Sequence, residues 1–238
     1  MAIAVNGGHV SRAIDFYNSV GKYFIIGGTT PWEDESAPTS PSLTDFRLKD
    51  VVGLKKVDNT YLVVPDNNGT IQYRNQNWRI VTTQITTSVG GSGVTAGAFV
   101  VPVVNVSGLV VGSKMRVANL YEGTITNITN NLVTLDAMSP DDIPVGSIVE
   151  SGALVEGAKY VYVECYLNYD EFPIVTYRQV GLCTGVTPNT EDTLISAGIG
   201  GRVSNEYTSL GVLEILDNRV PNTRDENQRE LLSLIIEF

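Results

Sequence analysis

The sequence predicts a mainly β fold: a β-sandwich-like core with a short N-terminal helix, and a small inserted β-barrel-like domain. Three observations carry this expectation. Val, Ile, Thr, Tyr and Gly are abundant, whereas the helix formers Ala, Lys and Glu are not dominant, and 10 prolines supply many turns. Apolar residues alternate with polar ones over short runs, the period of a half-buried strand. An uncharged stretch, Ser88-Val-Gly-Gly-Ser-Gly-Val-Thr-Ala-Gly97, interrupts the chain and reads as a linker or hinge. The expected organisation is a discontinuous core of residues 1–87 and 157–238, with 88–156 inserted between its halves.

Residues 11–22 read as the helix. Ser11 is its N-cap, Ala13, Phe16, Tyr17 and Val20 form the apolar stripe, and Gly21 ends it. Tyr23 to Ile26 then reads as a strand. Thr29 to Pro41 cannot be regular, because prolines fix φ and remove donors around the acidic triplet Glu33-Asp34-Glu35. Leu48 to Val64 alternates short apolar runs about a turn at Asp58-Asn59, and Asp66-Asn67-Asn68-Gly69 is a strong turn signal. Trp78 to Thr87 is a further strand.

Within the insert, residues 98–152 hold short strands at Phe99–Val106, Lys114–Ala118, Gly123–Ile128, Leu132–Leu135 and Ser147–Val149. Asn130-Asn131 marks a tight hairpin. From Tyr160, Val161, Val163, Cys165 and Leu167 share a core face. Tyr160, Tyr162, Glu164 and Tyr166 share the other, which lies under a second layer of the same chain or against a partner. The last strand, Leu232 to Phe238, alternates in the same way and is expected to be tied into a sheet.

Composition excludes several classes of function. The formal charge of −10 argues against a nucleic-acid surface, which needs clustered Lys and Arg. It suits solubility and steering towards a basic partner. No run approaches the ~20 apolar residues of a membrane span, and no secretory signal is expected. Cys165 and Cys183 are too few for a disulfide framework and read as reduced core residues.

Enzyme chemistry finds little support. His9 is the single histidine, and nothing adjacent in sequence orients it. One His and two separated Cys lack zinc-ligand spacing. Glu33-Asp34-Glu35 and Asp141-Asp142 lack the alternating acidic loop of a Ca²⁺ site, and read as solvated charges. Gly27-Gly28-Thr29-Thr30 lacks the Gly-Lys-Ser/Thr of a phosphate loop. The expectation is a non-enzyme with no cofactor or metal.

Two stretches at opposite ends carry more information. The first is Phe24-Ile-Ile-Gly-Gly-Thr-Thr-Pro-Trp32 with its acid- and Pro-rich loop, followed by Asp50-Val-Val-Gly-Leu-Lys-Lys56. The second comprises Phe172-Pro-Ile-Val-Thr-Tyr-Arg-Gln-Val-Gly-Leu182, then Asp217-Asn-Arg-Val-Pro221, Arg224 and Gln228-Arg-Glu230. Together, over roughly 11–86 and 157–238, they resemble the baseplate wedge proteins of contractile phage tails, the T4-type gene product 8 family.

The resemblance implies a structural virion subunit, made in the bacterial cytoplasm, that joins neighbouring wedge proteins. Tail-fibre or sheath-proximal proteins and a second copy are further candidate partners. The subunit would relay baseplate rearrangement to sheath contraction. The alternative is a receptor- or carbohydrate-binding tail module with the insert as its head. Candidate scaffold or interface residues are Thr30, Pro31, Trp32, Glu33, Asp34, Tyr160, Tyr162, Tyr166, Arg178, Asp217, Asn218, Arg219 and Arg224. Trp32 plugs either the chain's own core or a neighbour's pocket. Arg219, whose planar fork suits a carboxylate, finds its partner either in residues 33–35 or on another subunit.

Overall fold

The computed structural model describes residues 5–169, 171–172, 174–188, 194–196, 207–209, 211–225 and 227–238. Met1 to Ala4, Pro173 and Glu226, which fall in stretches discussed above, lie outside the described residues. In chain order the elements are helix α1 (Asn6–Asn18) and strands β1 (Tyr23–Gly27), β2 (Gly53–Lys56), β3 (Asn59–Pro65), β4 (Ile71–Tyr73), β5 (Gln76–Val81) and β6 (Ile85–Ser88). Next come β7 (Val100–Pro102), β8 (Lys114–Val117), β9 (Tyr121–Thr129), β10 (Leu132–Leu135), β11 (Ile148–Ser151) and the one-turn helix α2 (Ala153–Glu156). The chain continues with β12 (Tyr160–Leu167), β13 (Thr176–Thr184), β14 (Thr187–Pro188), β15 (Leu194–Ser196), β16 (Tyr207–Ser209), β17 (Val212–Thr223) and β18 (Glu230–Glu237). The fold is mainly β, as the composition predicts.

By its internal contacts the chain divides into two units, residues 1–17, 61–162 and 235–238, and residues 18–60 and 163–234. A five-stranded sheet runs in the order β18-β12-β3-β5-β4.

In the first unit a six-stranded sheet runs β6-β11-β8-β9-β10-β7. Its two edges are drawn together by an antiparallel bridge between Val89 and Val103, with Gly90 N–H donating to Pro102 O and Val104 N–H to Ser88 O. The sheet is thus a nearly closed barrel. Its interior is apolar: Val101, Met115, Val117, Ile125, Val133, Leu135 and Val149 are buried. The Gly/Ser-rich stretch expected to be a linker is part of this wall, with Val89 and Val94 buried in the same core. The two Asn of the β9–β10 turn behave as predicted: Thr129 pairs with Leu132 across a two-residue loop, and Asn130 takes a positive φ of 51°.

Helix α1 begins earlier than the capping signal predicts, at Asn6 rather than after Ser11. Gly7 and Gly8 are poor helix formers, so tertiary packing decides the start. Val10, Ala13 and Phe16 are buried, and the Phe16 ring lies 5.1 Å from Phe238. Val20, placed on the predicted stripe, lies beyond the helix and is exposed.

The second unit is built on the sheet β15-β2-β1-β13-β17. β1 is buried along its whole length, and β13 along all but its ends. That burial fits the apolar run of β1, whereas β13 also buries the polar Arg178 and Gln179. Tyr23, Ile25, Leu54 and Cys183 form a core against which Leu213 and Leu216 pack. Asp58-Asn59 joins β2 to β3, which lie in different sheets, so this turn is not a hairpin between paired strands.

Candidate interaction surface

β1 and β2 are antiparallel neighbours. Residues 28–52 connect them, where a hairpin needs only roughly two to five residues. The root of this long connection lies close on the sheet. Leu48 is buried over Gly181, where an added Cβ would stand 2.6 Å from Leu48 Cδ1. Lys49 O passes so near Gly27 that a Cβ there would lie 2.5 Å away. Glycine at both positions therefore lets the loop approach the strands, which gives the Ile26-Gly27 and Val180-Gly181 steps a physical reason.

Polar contacts then fasten the loop. Arg178, on β13 and buried, donates from Nη2 to Glu35 Oε1 at 2.6 Å, from Nε to Glu35 Oε2 at 2.9 Å, and from Nη1 to Thr29 O at 3.0 Å. These hydrogen bonds hold the Glu35 carboxyl below its ordinary value. Gln179 accepts from Lys49 N–H at 2.8 Å and donates to Asn218 Oδ1 at 2.8 Å. Asn218 in turn donates to Thr39 O at 2.7 Å. Thr30 Oγ1 donates to Asp50 Oδ2 at 2.7 Å, and Ser36 holds Asp34 with its hydroxyl and its N–H, keeping that carboxyl low.

Trp32 is half-buried, and its Nε1–H donates to Arg219 O at 3.1 Å, so its indole is seated within its own unit. Pro31 and Glu33 are exposed beside it. Among the described residues the carboxylate that meets the Arg219 guanidinium is Asp217, at 2.6 Å. It is Arg178, not Arg219, that reaches the acidic loop.

A second polar group lies further along β13 and β17. Tyr177, fully buried, donates to Glu230, and Asn222 Nδ2 donates to Tyr177 Oη at 2.7 Å. Burial and the neighbouring Glu230 push the phenol pKa up. Arg224 is buried and donates from Nη2 to Asn168 O at 2.8 Å, with Glu230 3.5 Å from its Nη1. Pattern reading placed Arg178 and Arg224 among the candidates but missed Tyr177, Gln179, Asn222 and Glu230. The available signal was the polar run Thr176-Tyr177-Arg178-Gln179 inside a strand too central to face water.

The tyrosine face of β12 is covered by its own chain. In the first unit Tyr162 is buried with Tyr61 and Tyr73, their ring centroids 6.4 and 6.5 Å from its own, and Tyr160 meets Trp78 edge-on at 5.0 Å. In the second, the Arg229 guanidinium sits 3.8 Å from the Tyr166 ring. These rings are therefore largely committed to packing.

Cys165 and Cys183 are free and buried, and desolvation raises both thiols, that of Cys183 to about 12. Among the described residues no group of three or more His, Cys, Asp or Glu is placed to hold a metal ion, and no helix is long and apolar enough to cross a membrane.

The stretches that carry the resemblance supply β1, β2, β13 and much of β17, which lie in one sheet. A sequence model described as baseplate wedge 3 tail fiber network component matches residues 1–92 and 142–238. The chain belongs to this baseplate family. Virion protein 3 of Enterococcus phage phiEF24C is 31% identical over 228 residues, covering 94% of this chain and 88% of that protein. The resemblance drawn from the residues thus holds at the level of a phage baseplate structural family. The matched segments of the baseplate family include the whole clasp of loop and sheet. They leave out 93–141, which supplies β7 to β10 of the barrel.

Proposed function

We propose that this chain is a non-enzymatic subunit of the wedge in a contractile-tail baseplate, in the manner of gene product 8. It joins neighbouring baseplate proteins and relays their rearrangement to sheath contraction. The observation that carries this reading is the family match over residues 1–92 and 142–238, the segments in which the loop is fastened to the sheet. A relay needs a body that moves as a unit, because packed interfaces switch between discrete arrangements and do not deform continuously. The contacts of Arg178, Gln179 and Trp32 favour such a body for the loop and its sheet. The candidate aromatic and charged residues are mostly engaged within the chain, so recognition falls to exposed surfaces rather than to a pocket.

Residues 88–156 form an inserted module in this reading, and a specific observation favours a second role for it. The barrel segment 93–141 lies outside the family match, and Val104, Val110, Val111 and Leu120 are exposed on it. The alternative is that it binds a receptor or carbohydrate at the tail surface.

Cryo-electron microscopy of the intact tail tests both readings. The chain is expected to repeat around the baseplate with residues 28–52 against another subunit. A chain projecting outward with only residues 88–156 free at its tip supports the binding module, and absence from the virion sinks both.

A further inference from the structure

We draw no further inference here: the strongest candidate, the cavity at the β17–β18 turn lined by Asn222, Arg224, Gln228, Arg229 and Glu230 among others, belongs to the polar group already described, and Arg224 Nη1, which has no hydrogen bond there, is buried and already faces the Glu230 carboxylate at 3.5 Å.

Discussion

The barrel and the five-stranded sheet are both antiparallel, yet they are held in different ways. The barrel encloses aliphatic side chains; among the described residues Ser113, Ser139 and Ser151 are buried in and beside its strands, and one charge, the Glu156 carboxylate, is covered at its rim, where it accepts from Lys114 N–H and pairs with Arg79. The sheet unit buries Lys55, Arg178, Gln179 and Arg224. Moving a cation out of water costs several kcal/mol unless it is paired and fully hydrogen-bonded. A chain able to close one core with valines therefore has a reason for placing charges in the other. In the sheet the buried Arg178 and Gln179 fix a long irregular connection, and Arg224 ties Asn168 and Glu230, where apolar contacts alone would permit sliding. The comparison teaches that the barrel is specified by shape and the sheet by directed polar contacts, and the two should respond differently to the same perturbations.

The largest expected effect is outside both cores. Deleting Ile235–Phe238 removes buried Ile236, the Phe238 contact with Phe16, and the hydrogen bond from Phe238 N–H to Lys159 O at 3.0 Å. Losing a buried isoleucine alone costs about 2–5 kcal/mol, a large part of a domain's total stability. Expression of the shortened chain is expected to give insoluble protein. A soluble product with a cooperative melting transition would refute that role for the last strand.

Next in size is Leu135→Ala in the barrel, where the side chain is 1% exposed. The expected loss is about 2–5 kcal/mol by denaturant titration, the range for cavities in apolar cores. Because no charge is involved, the loss should be the same at pH 5 and pH 8. A strong pH dependence would show that the barrel is not specified by shape alone.

Much of the barrel is legible in the sequence for the same reason. Alternation places Val101, Val117, Val133 and Val149 inward, and Asn130-Asn131 marks its turn, all from residues close together in the chain. The sheet unit is less legible because its specifying contacts are remote. Arg178 and Glu35 are 143 positions apart, and Tyr177 and Glu230 are 53 apart, so no local pattern pairs them. Arg219 is the opposite case: it was expected to meet residues 33–35 or another subunit, whereas its partner is Asp217, two residues away on the same strand face. The Gly/Ser-rich stretch misleads differently. Composition is that of a hinge, but Val89 and Val94 fall at positions where the barrel needs side chains.

A smaller effect is expected for Tyr177→Phe. The ring continues to fill its site, but Glu230 and Asn222 lose the hydroxyl that lies between them. These groups are only partly buried, so the loss is expected at about 1 kcal/mol, the low end of the range for an unmet buried partner. The variant should unfold at lower denaturant concentration with an unchanged slope. A change below the error of the titration would mean that Asn222 and Glu230, 2.5 Å apart, satisfy each other without it.

The smallest effect is on acid stability. Hydrogen bonds from Arg178 hold Glu35 below its ordinary value of 4.5. A carboxyl whose folded value is depressed contributes stability that is fully present above its unfolded value and is lost as pH falls through the folded one. Glu171 adds in the same direction: burial would raise it, but the Asn168 N–H and Lys55 outweigh burial and leave it lowered. Stability of the sheet unit should therefore fall as pH drops below about 4.5. Glu35→Gln cannot titrate, so its deficit relative to the parent should be constant from pH 8 to pH 5 and shrink below that. The Thr124 N–H holds Asp136 low in the barrel too, so the clearest readout is hydrogen exchange of β1 and β13 amides compared between the parent and Glu35→Gln. Equal acid sensitivity in the two proteins would mean that the Arg178–Glu35 pair is not what makes the stability of the sheet depend on pH.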